Sequence, residues 1–137
     1  MRILHTADWH FGRSLEGRSR LPEQEAFMDE LVQLVRDQSI DIVLMAGDAY
    51  DSVNPPASAE MLFYEGLARL ADGGKRQVAV ISGNHDHPER LSASAPLAAG
   101  QSITLVGLPT AELQVIDITA QGKERICTRC PTLPSPG

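Results

Sequence analysis

Apolar positions in this chain come in short runs that each stop at a polar cluster, and the spacing within a run separates strand from helix. Residues 2–6 (Arg-Ile-Leu-His-Thr) predict a strand bounded by the polar loop that starts at Ala7-Asp8. Residues 41–46 (Asp-Ile-Val-Leu-Met-Ala) form the continuous apolar run expected of a strand buried on both faces, and residues 77–82 predict a third, β-branched strand. Between the first two strands, Pro22 opens a helical pattern with Glu23 and Glu25 in its first turn, where carboxylates favour the helix dipole. Phe27, Leu31, Leu34 and Val35 fall at i, i+4, i+7 and i+8 and predict the buried stripe of that helix. After the rigid corner Asn54-Pro55-Pro56, residues 58–72 predict a second helix, stopped by Gly73-Gly74. Residues 88–99 predict a partly helical stretch, and residues 102–106, 113–119 and 124–128 predict three more strands.

Strand, helix, strand, helix, strand predicts an α/β fold with parallel strands joined by right-handed crossovers. Such sheets bind ligands beyond the carboxyl ends of their strands. Three polar segments, Asp8-x-His10, Gly47-Asp48-Ala49-Tyr50-Asp51 and Gly83-Asn84-His85-Asp86, each follow a predicted strand directly. They are therefore expected on one rim, although about forty residues separate each from the next.

Composition sharpens this picture in a few places. At 137 residues and 42% hydrophobic content the chain can build one domain with a sizeable core, and 4% aromatic content predicts that Leu, Val, Ile and Ala fill it. A net charge of −6 argues against uniform coating of nucleic acid. It leaves room for a basic strip or bound cations to reverse the field at one cleft. No apolar run reaches the length of about eighteen residues that reads as a membrane span, and the N-terminus lacks a secretory pattern, so a cytoplasmic location is expected. Cys127 and Cys130 lack the second ligand pair of a structural zinc site and sit in a strand-like stretch; they predict two ordinary thiols.

The donor types on the expected rim carry the chemistry. Carboxylate, amide and imidazole together suit manganese or iron. Asp8 and His10 point the same way if their segment is extended, and Asp48, after the tight turn that Gly47 allows, can bridge two ions. Asn84 offers an amide oxygen, which leaves His85 to face the substrate. Ions so placed clamp a phosphate and activate water, while His85 stabilises developing charge or protonates the leaving oxygen. A carboxylate at its other nitrogen fixes its tautomer, and Asp51 is preferred to Asp86 for that role. His5, inside the first strand, is expected to be buried and hydrogen-bonded, His87 to be a polar surface residue and Trp9 to be a packing anchor. Arg13, Arg18 and Arg20 surround a single Glu16 and suit contact with a phosphate backbone. Arg90 either does the same or pairs with a carboxylate. Met61, Leu62, Phe63 and Tyr64, with Leu67 and Leu70, make the second helix apolar on more than one face and predict a subunit interface.

The three polar segments, in this order and spacing, resemble those of the calcineurin-like metallophosphoesterases. Residues 3–13, Gln24-Glu25-Ala26-Phe27 and residues 83–91 are similar to the bacterial SbcD nucleases, homologues of the meiotic-recombination Mre nucleases, and the resemblance runs from residue 1 to about residue 110. It implies a mixed-sheet sandwich flanked by helices, of which residues 1–137 are the N-terminal portion. It implies metal ligands at Asp8, His10, Asp48 and Asn84, a catalytic His85, and two divalent ions with manganese favoured. It further implies exonuclease and endonuclease action on DNA ends and hairpins in repair and recombination, homodimerisation, and a complex with the ATPase SbcC. The family completes its metal site with a further His and a Gly-His-x-His segment; the histidines here are His5, His10, His85 and His87. Two other readings stand beside this one. One is a phosphodiesterase or phosphatase for a small molecule or phosphoprotein, and the other a dimerisation or scaffold piece without catalytic metal.

Overall fold

The computed structural model describes residues 1–107, 114–116 and 126–128. Strands β1 (Ile3–Thr6), β4 (Ile42–Ala46), β5 (Gln77–Ile81) and β6 (Ile103–Val106) form one parallel sheet in the order β1-β4-β5-β6. The register pairs Ile3 with Ile42, Ile42 with Gln77 and Val78 with Ile103. Each crossover moves one strand further in the same direction. A common right-handed crossover then places every connecting helix on the same face. Helices α1 (Leu21–Asp37), α2 (Ala57–Ala71), α3 (Pro88–Ala93) and α4 (Ala95–Ala99) fill those connections. The main core lies between this helical layer and Val43, Met45, Val78, Val80, Ile103 and Leu105 of the sheet.

On the opposite face Ile42 and Ala79 are buried beside Leu44, whereas Ile3 is 44% exposed. His5 points to that thinner side and is exposed, so the expectation of a buried, hydrogen-bonded histidine is corrected. It lies on β1, one of the two edge strands of this sheet among the described residues.

Helix α1 begins with Pro22 in its first turn, as expected, but buries Met28, Leu31, Val32 and Val35. Phe27 and Leu34, predicted to lie in the stripe, are 39% and 43% exposed. Two overlapping apolar rows run along this helix, and the row led by Met28 wins because Gly66 of α2 makes room for it. A Cβ at Gly66 would come within 2.7 Å of Met28 Cε. Helix α2 starts after the extended Pro56 and ends at Asp72, whose left-handed backbone (φ 49°) closes the last turn just before the glycine pair. Phe63 is fully buried and packs on Trp9, Tyr50 and Tyr64. Its place in a subunit interface is therefore corrected: the side chain is used up inside its own chain.

Arg76, just before β5, is buried without a carboxylate partner among the described residues. Its guanidinium donates to the carbonyls of Ile40 (2.8 Å), Leu70 (2.5 Å) and Val35 (3.5 Å), and so caps the C-terminal ends of both long helices. Burial lowers its pKa, against the opposing pull of Asp72.

The loop expected over residues 11–21 contains a small hairpin, β2 (Ser14–Leu15) with β3 (Arg18–Ser19). Glu16 and Gly17 turn it with φ of 50° and 77°, the left-handed pair that matches the twist of a two-residue hairpin. Strands β7 (Gln114–Ile116) and β8 (Ile126–Thr128) pair antiparallel inside two of the predicted strands. Cys127 lies in β8 opposite Val115, and Cys130 lies outside the described residues.

Candidate metal centre

The ladder does not stop where the strands do. Gly47 N–H donates to the Ile81 carbonyl (2.8 Å), Asp8 N–H to Gly47 (3.0 Å), His10 N–H to Asp48 (3.0 Å) and Phe11 N–H to Ala49 (3.0 Å). The loops after β1 and β4 are thus zipped together, with the start of the second joined to the end of β5. Within them Asp8, His10 and Asp48 have φ of 56°, 50° and 52°, and Gly47 has 84°. Left-handed backbone at non-glycine residues is strained by roughly 1–3 kcal/mol each, and Asp is among the residues that tolerate it best. The hydrogen bonds between the two loops offset that strain.

These turns aim three donors at one point. Ligand atoms of Asp8, His10 and Asp48 all lie within 4.8 Å of one another. His10 Nε2 is 3.9 Å from Asp8 Oδ1 and 3.9 Å from Asp48 Oδ2. An octahedral ion with bonds of about 2.1 Å sets its donors about 3–4 Å apart, so this cluster fits a hard or borderline divalent cation. Asp8 and His10 do come close together, but through left-handed turns and not through the extended segment expected.

Asp48 is the most constrained of the three. Its Oδ1 accepts the His85 amide at 2.9 Å, which leaves Oδ2 for the cation. A Cβ at Gly83 would collide with that carboxylate and with the Asp48 amide, so only glycine fits there. Asn84 is exposed on the same turn, between Gly83 and His85.

His85 rests edge-on against His10, ring centroids 5.4 Å apart, and its Nδ1 lies 3.2 Å from the Asp51 carbonyl. A carbonyl can only accept, so Nδ1 carries the proton and Nε2 is the nitrogen left for a substrate. This corrects the expectation that gave His85 the Asp51 carboxylate. That carboxylate sits 3.4 Å from His10 Nδ1, a buried nitrogen with no hydrogen bond of its own. Asp51, in the loop after β4, thus meets one ring with its main chain and the other with its side chain.

Asp86, the alternative partner, is 4% exposed and does something else. It accepts the amides of Ala49 (3.1 Å), Tyr50 (3.0 Å) and Gly83 (2.8 Å). It therefore clamps the second loop to the third. Sequence reasoning missed this brace: within its own turn the Asp86 carboxylate reaches back three residues to the Gly83 amide, the direction opposite to an Asx turn. Gln24 is a second missed brace: from α1 it donates to the His10 carbonyl (3.0 Å) and accepts the Gly12 amide (3.1 Å). Tyr50 packs beneath the rim, and burial holds its hydroxyl protonated.

Arg13 and Arg18 are exposed on the hairpin loop, and Arg20 pairs with Glu23 at 3.1 Å. Arg90 takes the carboxylate option, 2.8 Å from Glu60, and donates to Asn54. His87 is exposed and accepts the Arg90 amide through Nδ1. Trp9 is 7% exposed, within the core. Met61 is 70% exposed, while Leu62 and Tyr64 are half-buried.

Comparison with known proteins agrees with this rim. Residues 1–125 match the family model for calcineurin-like phosphoesterases. The chain is 58% identical over 123 residues to the SbcD component of the SbcCD nuclease of Bacillus subtilis, covering 90% of this chain and 32% of that protein. It is 40% identical over 108 residues to the SbcD component of the same nuclease in Rhodobacter capsulatus, covering 78% of this chain and 27% of the relative. It thus spans about a third of the length of the curated relatives it matches. With the donor cluster at its sheet rim and the match over most of its length, the chain belongs to the calcineurin-like phosphoesterases.

Proposed function

We propose that this chain carries the substrate-facing rim of a metal-dependent DNA nuclease. The observation that supports it best is the convergence of Asp8, His10 and Asp48 beside His85, in a chain similar to proteins named as nuclease components. Asp8, His10, Asp48 and Asn84 hold the metal, two divalent ions with manganese favoured. When bound, the ions supply Lewis-acid activation of water and neutralise phosphate charge. His85 uses Nε2 to stabilise the charge that develops on phosphate or to protonate the leaving oxygen. The Asp51 carbonyl orients His85, and the Asp51 carboxylate orients His10.

In this reading residues 1–137 are the N-terminal portion of a metallophosphoesterase domain. Each hard ion wants about six donors, so the four side chains named here are completed by groups from elsewhere. Arg13, Arg18 and Arg20 contact the DNA backbone, and double-stranded ends and hairpins are the substrates. Met61, Leu62 and Tyr64 on α2 contribute to a homodimer. The ATPase SbcC is the partner, as the name of the relatives' complex suggests, and the setting is cytoplasmic DNA repair and recombination. None of the helices among the described residues is long and apolar enough to cross a membrane.

Cleavage of a DNA hairpin and of a duplex end, set against hydrolysis of a small phosphodiester in Mn2+, tests this reading. DNA cleavage that is lost in His85→Ala supports it. Turnover of the small ester alone replaces the nuclease with a small-molecule phosphodiesterase. Failure to retain any manganese favours the scaffold reading.

A further inference from the structure

Beside the rim, on the Asp8 side, a groove of about 570 Å³ is lined by Asp8, Arg13, Leu15, Arg20, Gln24 and Phe27, among others. Its size is that of a small-ligand site, about 300–1,000 Å³. The walls differ in character. Phe27 is 39% exposed and Leu15 57%, so two apolar side chains face water where the helix and the hairpin meet. A single exposed Phe is ordinary on a protein surface. This one is braced: its ring meets Trp9 edge-on, centroids 6.1 Å apart at 70°. The Trp9 indole N–H in turn donates to Thr6 Oγ1 at 3.0 Å. Gln24 adds a rigid wall through its two bonds to the His10 loop.

Charge makes the groove selective. Arg13 and Arg20 stand in its lining together with Glu23 and with Asp8, one of the cation donors. Arg20 pairs with Glu23, but both side chains are exposed, and such a pair yields readily to a phosphate. A ligand that suits all of this has a flat apolar ring for Phe27, an anionic backbone for the guanidiniums, and a phosphate within reach of Asp8's cation. That is a nucleotide whose base is free on at least one face.

We propose that the groove receives the unpaired base of the nucleotide next to the metal-held phosphate, stacked on Phe27, with Arg13 and Arg20 on its backbone. This rests on the nuclease reading and adds that the end or loop must offer an unpaired base to the groove. A base inside a duplex has both faces covered by its neighbours and cannot enter, whereas frayed, overhanging or hairpin-loop nucleotides can.

The test uses the fluorescent base 2-aminopurine in duplexes whose phosphorothioate linkages slow cleavage, titrated with the chain in Mn2+. One duplex carries the reporter on a single-stranded overhang, the other in the paired interior. Quenching on the overhang alone is expected. Phe27→Tyr keeps it, while Phe27→Leu abolishes it and weakens overhang binding by about tenfold, with circular dichroism confirming that both variants fold. Equal quenching by Phe27→Leu, or quenching of the interior reporter, overturns the assignment. Mn2+-dependent binding of DNA without quenching removes the groove and leaves the nuclease reading standing, and no Mn2+-dependent binding of DNA removes both.

Discussion

Asp48 is held from three directions before any cation arrives: by its own left-handed backbone, by the His85 amide on Oδ1, and by the missing side chain at Gly83. A methyl group at Gly83 must push the carboxylate away or lift the third loop, and either movement spoils the 3.9 Å spacing to His10. Gly83→Ala is therefore expected to weaken Mn2+ binding by at least about tenfold, the order of loss seen when groups supporting a metal ligand are removed. Calorimetric titration measures it, and unchanged affinity would show that the carboxylate is not pre-set. The ligand types were readable from sequence because few other functions place Asp-x-His, Gly-Asp and Gly-Asn-His-Asp after successive strands. Their directions were not. Alternation along an extended strand fails at Asp8 and His10, where the backbone turns left-handed. It could not foretell that Asp51 would send its carbonyl to one imidazole and its carboxylate to the other. Asp86 was legible as a candidate yet not as a brace, because two of its amide partners lie 36 and 37 residues away.

Elements were legible where punctuation was strong: Pro22 in the first turn of α1, the Pro55-Pro56 corner before α2, and the glycine pair after it. Which face each helix turned inward was less so. The row containing Met28 and Val32 and the row containing Phe27 and Leu34 fit the helical period equally well, and Gly66 across the interface decided between them. The same ambiguity hid in α2, where Met61, Leu62, Phe63 and Tyr64 look alike in sequence but sit at very different depths. Two substitutions separate the roles. Phe63→Ala empties a fully buried site and is expected to lower unfolding free energy by about 3–5 kcal/mol, read from urea denaturation. Met61→Glu alters an exposed side chain beside the groove formed with Leu21, Glu25 and Leu62. It should leave the stability of the single chain within about 0.5 kcal/mol while shifting the proposed homodimer towards monomer in sedimentation. A dimer that survives Met61→Glu places the interface elsewhere.

Across the whole molecule, the parallel sheet β1-β4-β5-β6 is what brings residues 8, 48 and 85 to one edge, and the strand-helix alternation made the parallel sense of its strands predictable, though not their order. The same convergence concentrates negative charge in an already acidic chain: Asp8 and Asp48 share the donor cluster and Asp51 lies against His10. Like charges this close oppose folding, and a divalent cation that binds only the folded rim relieves them. At one hundred times its dissociation constant a ligand stabilises by about 2.7 kcal/mol, which for a domain of this size raises Tm by roughly 5–15 °C. Mn2+ should therefore raise Tm in a concentration-dependent way that EDTA reverses, and sodium at matched ionic strength should not reproduce it, because general screening acts on surface charge everywhere. Asp48→Asn is the discriminating control. It removes one of the repelling charges, so its Tm without metal should rise or hold, yet it also weakens the donor set, so its response to Mn2+ should shrink. A response of equal size in both proteins would mean that the cation stabilises the chain from some other surface, and the rim would lose its claim to be the metal centre.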